Sequence, residues 1–138
     1  MKMKHYQIMP RNWFLVNGTP RPVTGLRRQW TYVQNSAEHP HQLKVSSSDL
    51  QPLTINETLI SHSNLRSQRN DEDNAYDSLR LKHETIELPF IMRFNYDAEF
   101  PCEVIFPTGH IIRLQHIHRL QQFVIAVTGE ELRIKMKF

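Results

Sequence analysis

The sequence predicts an α+β protein: an N-terminal small β-meander or partly closed barrel, a short helix, then an antiparallel sheet packed by one C-terminal helix and a final strand. Three observations carry this reading. Residues 116–128 set Ile117, Leu120, Val124 and Val127 on one stripe at helical spacing. Gly129 stands where a helix end takes a left-handed residue, and Leu132, Ile134, Met136 and Phe138 then alternate with Arg133, Lys135 and Lys137 as in a strand with one basic face. The N-terminal third offers instead short β-branched and aromatic runs separated by turn residues.

Taken in order, Trp13–Val16 reads as a strand ended by the Asn17-Gly18 turn. Pro20 and Pro22 favour an extended edge, because neither donates to a ladder. Residues 23–26 form a weak strand, Arg27-Arg28-Gln29 turns the chain, and residues 30–33 and 42–45 add two more strands around a loop at 35–41. Thr54-Ile-Asn-Glu57 has the form of a capping box opening a short helix to about His62, with Ile55, Leu59 and Ile60 inward. Residues 61–77 are polar, and 67–74 hold no apolar side chain, so an exposed loop is expected there. Sheet patterning returns with Leu79 and Leu81, a run at 84–88, then Phe90, Met92, Phe94 and Tyr96 on one face. Residues 102–106 and Ile111–Leu114 flank a turn at 107–110. The organisation expected is a basic β-rich subdomain over 1–60, a loop over 61–77, and a sheet with the C-terminal helix over 78–138.

At 138 residues the chain can bury a core without a metal or disulfide. No apolar run approaches the ~20 residues that span a bilayer, and no secretory signal follows the first residues. Cys102 is the single cysteine, which excludes an intrachain disulfide or thiolate cluster and favours a reducing cytoplasm. The net charge of +3 is uneven: residues 1–37 carry six basic side chains and no acid. Such a division can steer an anionic partner or merely reflect a solvated surface.

The segment Ile-His-Arg-Leu-Gln-Gln-Phe-Val-Ile-Ala-Val-Thr-Gly-Glu-Glu-Leu (117–132) resembles the ending of a family of small uncharacterised proteins from gut Bacteroidetes and their phages or mobile elements. His118, Leu120, Gln121, Ala126, Thr128, Gly129, Glu130, Glu131 and Leu132 match that pattern, whereas Arg119, Gln122 and Val124 depart from it. Residues 50–59 are similar to a second, looser motif of the family. The resemblance implies a β-rich start, a helix, a sheet and a final helix, and it implies no activity.

The chemistry-bearing residues exclude more than they offer. The four glycines are scattered, so no loop cradles a phosphate through its backbone. No serine lies in a nucleophile-elbow sequence, and Cys102 reads as a small core residue. Glu130 and Glu131 follow a helix end and suit a turn better than acid–base work. His110, His116 and His118 lack metal-ligand spacing; on a helix the last two lie about 200° apart. A histidine hydrogen-bonded beneath the sheet, or one capping a backbone carbonyl, is the expectation for His118. Trp13, Phe14, Trp30 and Tyr32 with Arg11, Arg21, Arg27 and Arg28 are the types that stack bases and neutralise phosphates. Adjacent strand residues face opposite ways, so one aromatic set must be buried.

The expected function is therefore a non-enzymatic cytoplasmic binding or adaptor protein of mobile-element type, with no cofactor, no metal and no membrane partner. Arg133, Lys135 and Lys137 would meet an unidentified protein partner or a second copy of the chain. The alternative is a nucleic-acid-binding module using Arg11, Trp13, Arg21, Arg27, Arg28 and Trp30. A second alternative is a small metal-dependent hydrolase built on the histidines.

Overall fold

Among the described residues ten strands and two α-helices form in the order β1 (Trp13–Val16), β2 (Thr19–Arg27), β3 (Trp30–Gln34), β4 (Gln42–Ser46), β5 (Leu50–Gln51), α1 (Glu57–Ser61), β6 (Leu65–Ser67), β7 (Leu79–His83), β8 (Ile91–Phe94), β9 (Cys102–Ile105), β10 (Ile111–Leu114) and α2 (Ile117–Thr128). The computed structural model describes residues 7–28, 30–35, 42–67, 79–83 and 87–136. The fold is α+β. No helix among the described residues is long and apolar enough to cross a membrane. These residues divide into two units. One takes the chain to Thr54 with residues 116–123 and Met136; the other takes Ile55–Gln115 and Val124–Lys135.

The first unit is built on an antiparallel sheet ordered β4-β3-β2-β1-β5. Asn17 and Gly18 both have positive φ, 52° and 78°, as a two-residue hairpin with primed geometry requires. The prolines of β2 are placed by hydrogen-bond parity. The Val23 N–H donates to the Asn12 carbonyl at 2.8 Å, so alternation turns the ring nitrogens of Pro20 and Pro22 away from β1. Pairing of β2 with β3 begins only at Val23↔Val33, so no ladder bond is lost there. Beside them Arg21 donates to the Gln34 carbonyl at 3.2 Å. Between Val23 and Gly25 the register shifts, and the bend lets one long strand serve both halves of the sheet. Ile8, Phe14, Val16, Val23, Val33, Val45 and Leu50 form the core inside it.

A reciprocal cap joins β4 to β5. The Ser48 N–H donates to Ser46 Oγ and the Ser46 N–H to the Asp49 carboxylate at 3.0 Å, around a single 3-10 turn. The cap expected at Thr54 lies two residues later. Asn56 Oδ1 accepts from Leu59 N–H at 2.9 Å, while Thr54 bridges His116 in extended pairing.

The second unit carries an antiparallel sheet ordered β10-β9-β8-β7-β6. Phe94↔Cys102 and Met92↔Val104 are cross-strand pairs, and all four side chains are buried. Ile91 and Arg93 take the opposite face, as their alternation predicts. β6 lies within the stretch expected as loop, because Leu65 is buried and pairs with His83. The polar run at 68–78 and residues 84–86 lie outside the described residues.

The final strand is corrected to a single bridge among the described residues, Ile134↔Ser63. Around it Asn64 N–H donates to the Arg133 carbonyl at 3.1 Å and Lys135 N–H to the His62 carbonyl at 3.0 Å. Lys137 and Phe138 lie outside the described residues. α2 ends as expected: Gly129 has φ 76° and its N–H donates to Ile125 at 2.9 Å. Its buried stripe, however, is Ile117, His118, Leu120, Gln121 and Val124, whereas Val127 is 43% exposed.

Candidate binding groove and its surroundings

The β2–β3–β4 ladder decides which aromatics are available. Opposite pairs Arg27↔Trp30↔Ser46 and Gly25↔Tyr32↔Lys44 share one face of the sheet, while Thr31, Val33 and Val45 fill the other. Arg27, Arg28, Trp30, Tyr32 and Lys44 line an open cavity of about 540 Å³. Trp30 and Tyr32 are half-buried, and Arg27, Arg28 and Lys44 are exposed. Arg28 has φ 54° at the turn after Arg27, which aims it beside the strand end. A Cβ added at Gly25 would meet nothing within 4 Å, so the strip opposite Tyr32 is open space.

Lys44 Nζ lies 4.3 Å from the centroid of the Trp30 ring. A cation over an exposed aromatic face is worth ~0.5–1 kcal/mol, less than the ~1–3 kcal/mol of a stacked base. A planar ligand stacked on Trp30 would therefore displace the ammonium from the ring. Arg27, Arg28 and Lys44 make no ion pair among the described residues, so the groove keeps its positive field.

The other candidates from the sequence fall elsewhere. Trp13 is 2% exposed and presents no face to a ligand; β1 is buried on both sides, with Phe14 in the core. Arg21 is half-buried and held by the Gln34 carbonyl. Arg11 is exposed at φ 69°, its N–H donating to the Val23 carbonyl at 2.7 Å and its carbonyl accepting from Gln121. Arg133 and Lys135 line a separate cavity in the second unit. Lys44 was missed by sequence reading, although its place between Leu43 and Val45 gave the alternation that exposes it.

The histidines do not converge on a metal position: among the described residues no three His, Cys, Asp or Glu groups are so placed. Because α2 begins at Ile117, His116 is still extended, and its ring stacks on His118 at 5.9 Å and 13°. His118 also lies 4.7 Å from Phe14. Contrary to expectation it makes no hydrogen bond: neither ring nitrogen of this buried side chain has a partner among the described residues. Burial, with Arg119 and His116 nearby, lowers its pKa to about 4. The polar residue that does work beneath the sheet is Gln121. Its Oε1 accepts from Trp13 N–H at 3.0 Å and its Nε2 donates to the Arg11 carbonyl at 2.9 Å.

Comparison with known proteins finds no family model, no curated protein and no solved structure that matches this chain.

Proposed function

We propose that the protein is a non-enzymatic binding protein whose β2–β3–β4 face takes single-stranded nucleic acid. The observation that carries this is one face presenting Trp30 and Tyr32 with Arg27, Arg28 and Lys44 around them. The two rings supply base-stacking platforms, and the three cations follow the phosphates. A sheet this small also offers no deep groove reader for a duplex, whereas splayed bases lie flat on a pleated surface. The resemblance of the tail supports a mobile-element setting, and the single, buried cysteine is compatible with a reducing compartment.

The test is titration of a fluorescein-labelled thymidine 12-mer into the full chain across a salt series. Three phosphate contacts give a log–log salt slope of about −2, and Arg27→Gln with Arg28→Gln together reduce it by about 1.4. Trp30→Ala weakens binding by ~1–3 kcal/mol. Binding that is indifferent to salt, or equal in all three proteins, refutes the proposal.

A further inference from the structure

Within the groove the two aromatic platforms are not alike. Trp30 and Tyr32 stand two residues apart on β3, ~6.8 Å along the strand, against ~3.4 Å between neighbouring bases of a helical strand. Two successive bases therefore part from each other to take one ring each. Trp30 is flanked by Arg27 on β2 and Ser46 on β4, and Lys44 Nζ already lies over its ring. Tyr32 is flanked by Gly25 on β2 and by Lys44 on β4, whose ammonium is drawn away to Trp30.

Neither the backbone nor the packing at position 25 calls for glycine. Its φ lies outside the left-handed region, so the chain there would accept a side chain. The register shift between Val23 and Gly25 does not require it either, since the bulge that needs glycine holds it at positive φ. A Cβ added at Gly25 meets nothing within 4 Å. Glycine weakens a strand interior, and its use where neither demand exists is to let a ligand lie close to the peptide.

We infer that Gly25 makes the Tyr32 ring a subsite for a purine base, an inference that rests on the reading of this face as a single-strand groove. A purine has two fused rings and the phenol beneath it has one, so part of the base overhangs toward a neighbouring strand. Toward β4 the overhang meets Lys44. Toward β2 it lies over the bare peptide of Gly25, and the base keeps contact across its whole width. A pyrimidine, with a single ring, gains nothing from that strip.

The experiment measures the fluorescence anisotropy of fluorescein-labelled DNA 12-mers, abasic except for two adjacent central bases, as the full chain is added. The central pairs are thymine–thymine, adenine–thymine and thymine–adenine, so each strand offers its bases in one register. The order that puts adenine on Tyr32 is expected to bind about fivefold tighter than thymine–thymine. Gly25→Thr places a strand-forming residue there and is expected to bring that order to within about twofold of thymine–thymine. Should this variant lose cooperative unfolding, Gly25→Ala is read in its place, with the gain at least halved. Tyr32→Ala also removes the gain, whereas Trp30→Ala weakens both strands and preserves their ratio. Adenine no tighter than thymine in either order, or a gain that survives Gly25→Thr, overturns the inference and leaves the groove in place. Thymine–thymine binding that is absent or indifferent to salt refutes the groove, and this inference with it.

Discussion

Replacing His118 by leucine tests how the buried imidazole is tolerated. In the folded protein its pKa is about 4, against about 6.5 in an unfolded chain. Between these values the unfolded state binds more protons, so stability is complete above pH 6.5 and falls as the solution is acidified toward pH 4. Integrated from pH 7 to pH 4.5, that linkage amounts to ~2 kcal/mol. His118→Leu removes it, together with two ring nitrogens that have no partner among the described residues. At pH 7 the variant should match or exceed the natural protein by up to ~1 kcal/mol, because an unsatisfied buried polar group is itself costly. Urea unfolding of both proteins at pH 7, 6, 5 and 4.5 reads the difference. Every other residue is common to the two proteins, so the difference between them reads position 118. If the two proteins lose the same stability on acidification, the imidazole is not held neutral by the fold and the reasoning fails.

Three further outcomes are expected. Gly129→Ala costs ~1–2 kcal/mol in urea unfolding, the penalty of a side chain at positive φ, since the added Cβ meets nothing within 4 Å; a neutral result would mean the helix end relaxes out of that conformation. Gln121→Leu removes the partner of the Trp13 N–H and of the Arg11 carbonyl and lowers the unfolding free energy by ~2–3 kcal/mol, whereas Gln122→Leu, at a half-buried position, serves as the milder comparison. Burial, with Glu103 adding to it, pushes the Cys102 thiol well above its ordinary range, so a thiol reagent at pH 8 labels it only as fast as the chain opens; complete labelling within seconds in native buffer contradicts its placement.

Local chemistry was legible where it acts alone. The Asn17-Gly18 hairpin and the Gly129 helix end demand a left-handed backbone, and few residues satisfy that demand. The alternation of Met92 and Phe94 named the buried face of β8 for the same reason. What failed depended on partners far away in sequence. Leu132, Ile134 and Met136 carry a strand pattern, yet among the described residues only Ile134 forms a bridge, because Ser63 is the neighbour it meets. Val127 fits the helical stripe and is nevertheless exposed, while polar His118 and Gln121 are buried. Gln121 is favoured there because backbone groups of Arg11 and Trp13 need a donor and an acceptor at that spot. The groove was half visible: the residue types were apparent, but which tryptophan stays available depends on what covers each strand, and Trp30 on β3 is half-buried whereas Trp13 on β1 is 2% exposed.

Pro20 and Pro22 have a consequence for how this protein behaves when crowded. Along the first half of β2 no third strand pairs among the described residues, and an exposed rim of amides is where a stray chain docks to seed fibrils. Two alternate positions on that rim lack a hydrogen to offer, and the Arg21 guanidinium lies beside them. An incoming strand finds no continuous template there. Restoring the missing donors with Pro20→Thr and Pro22→Thr would turn a sealed border into a nucleation site.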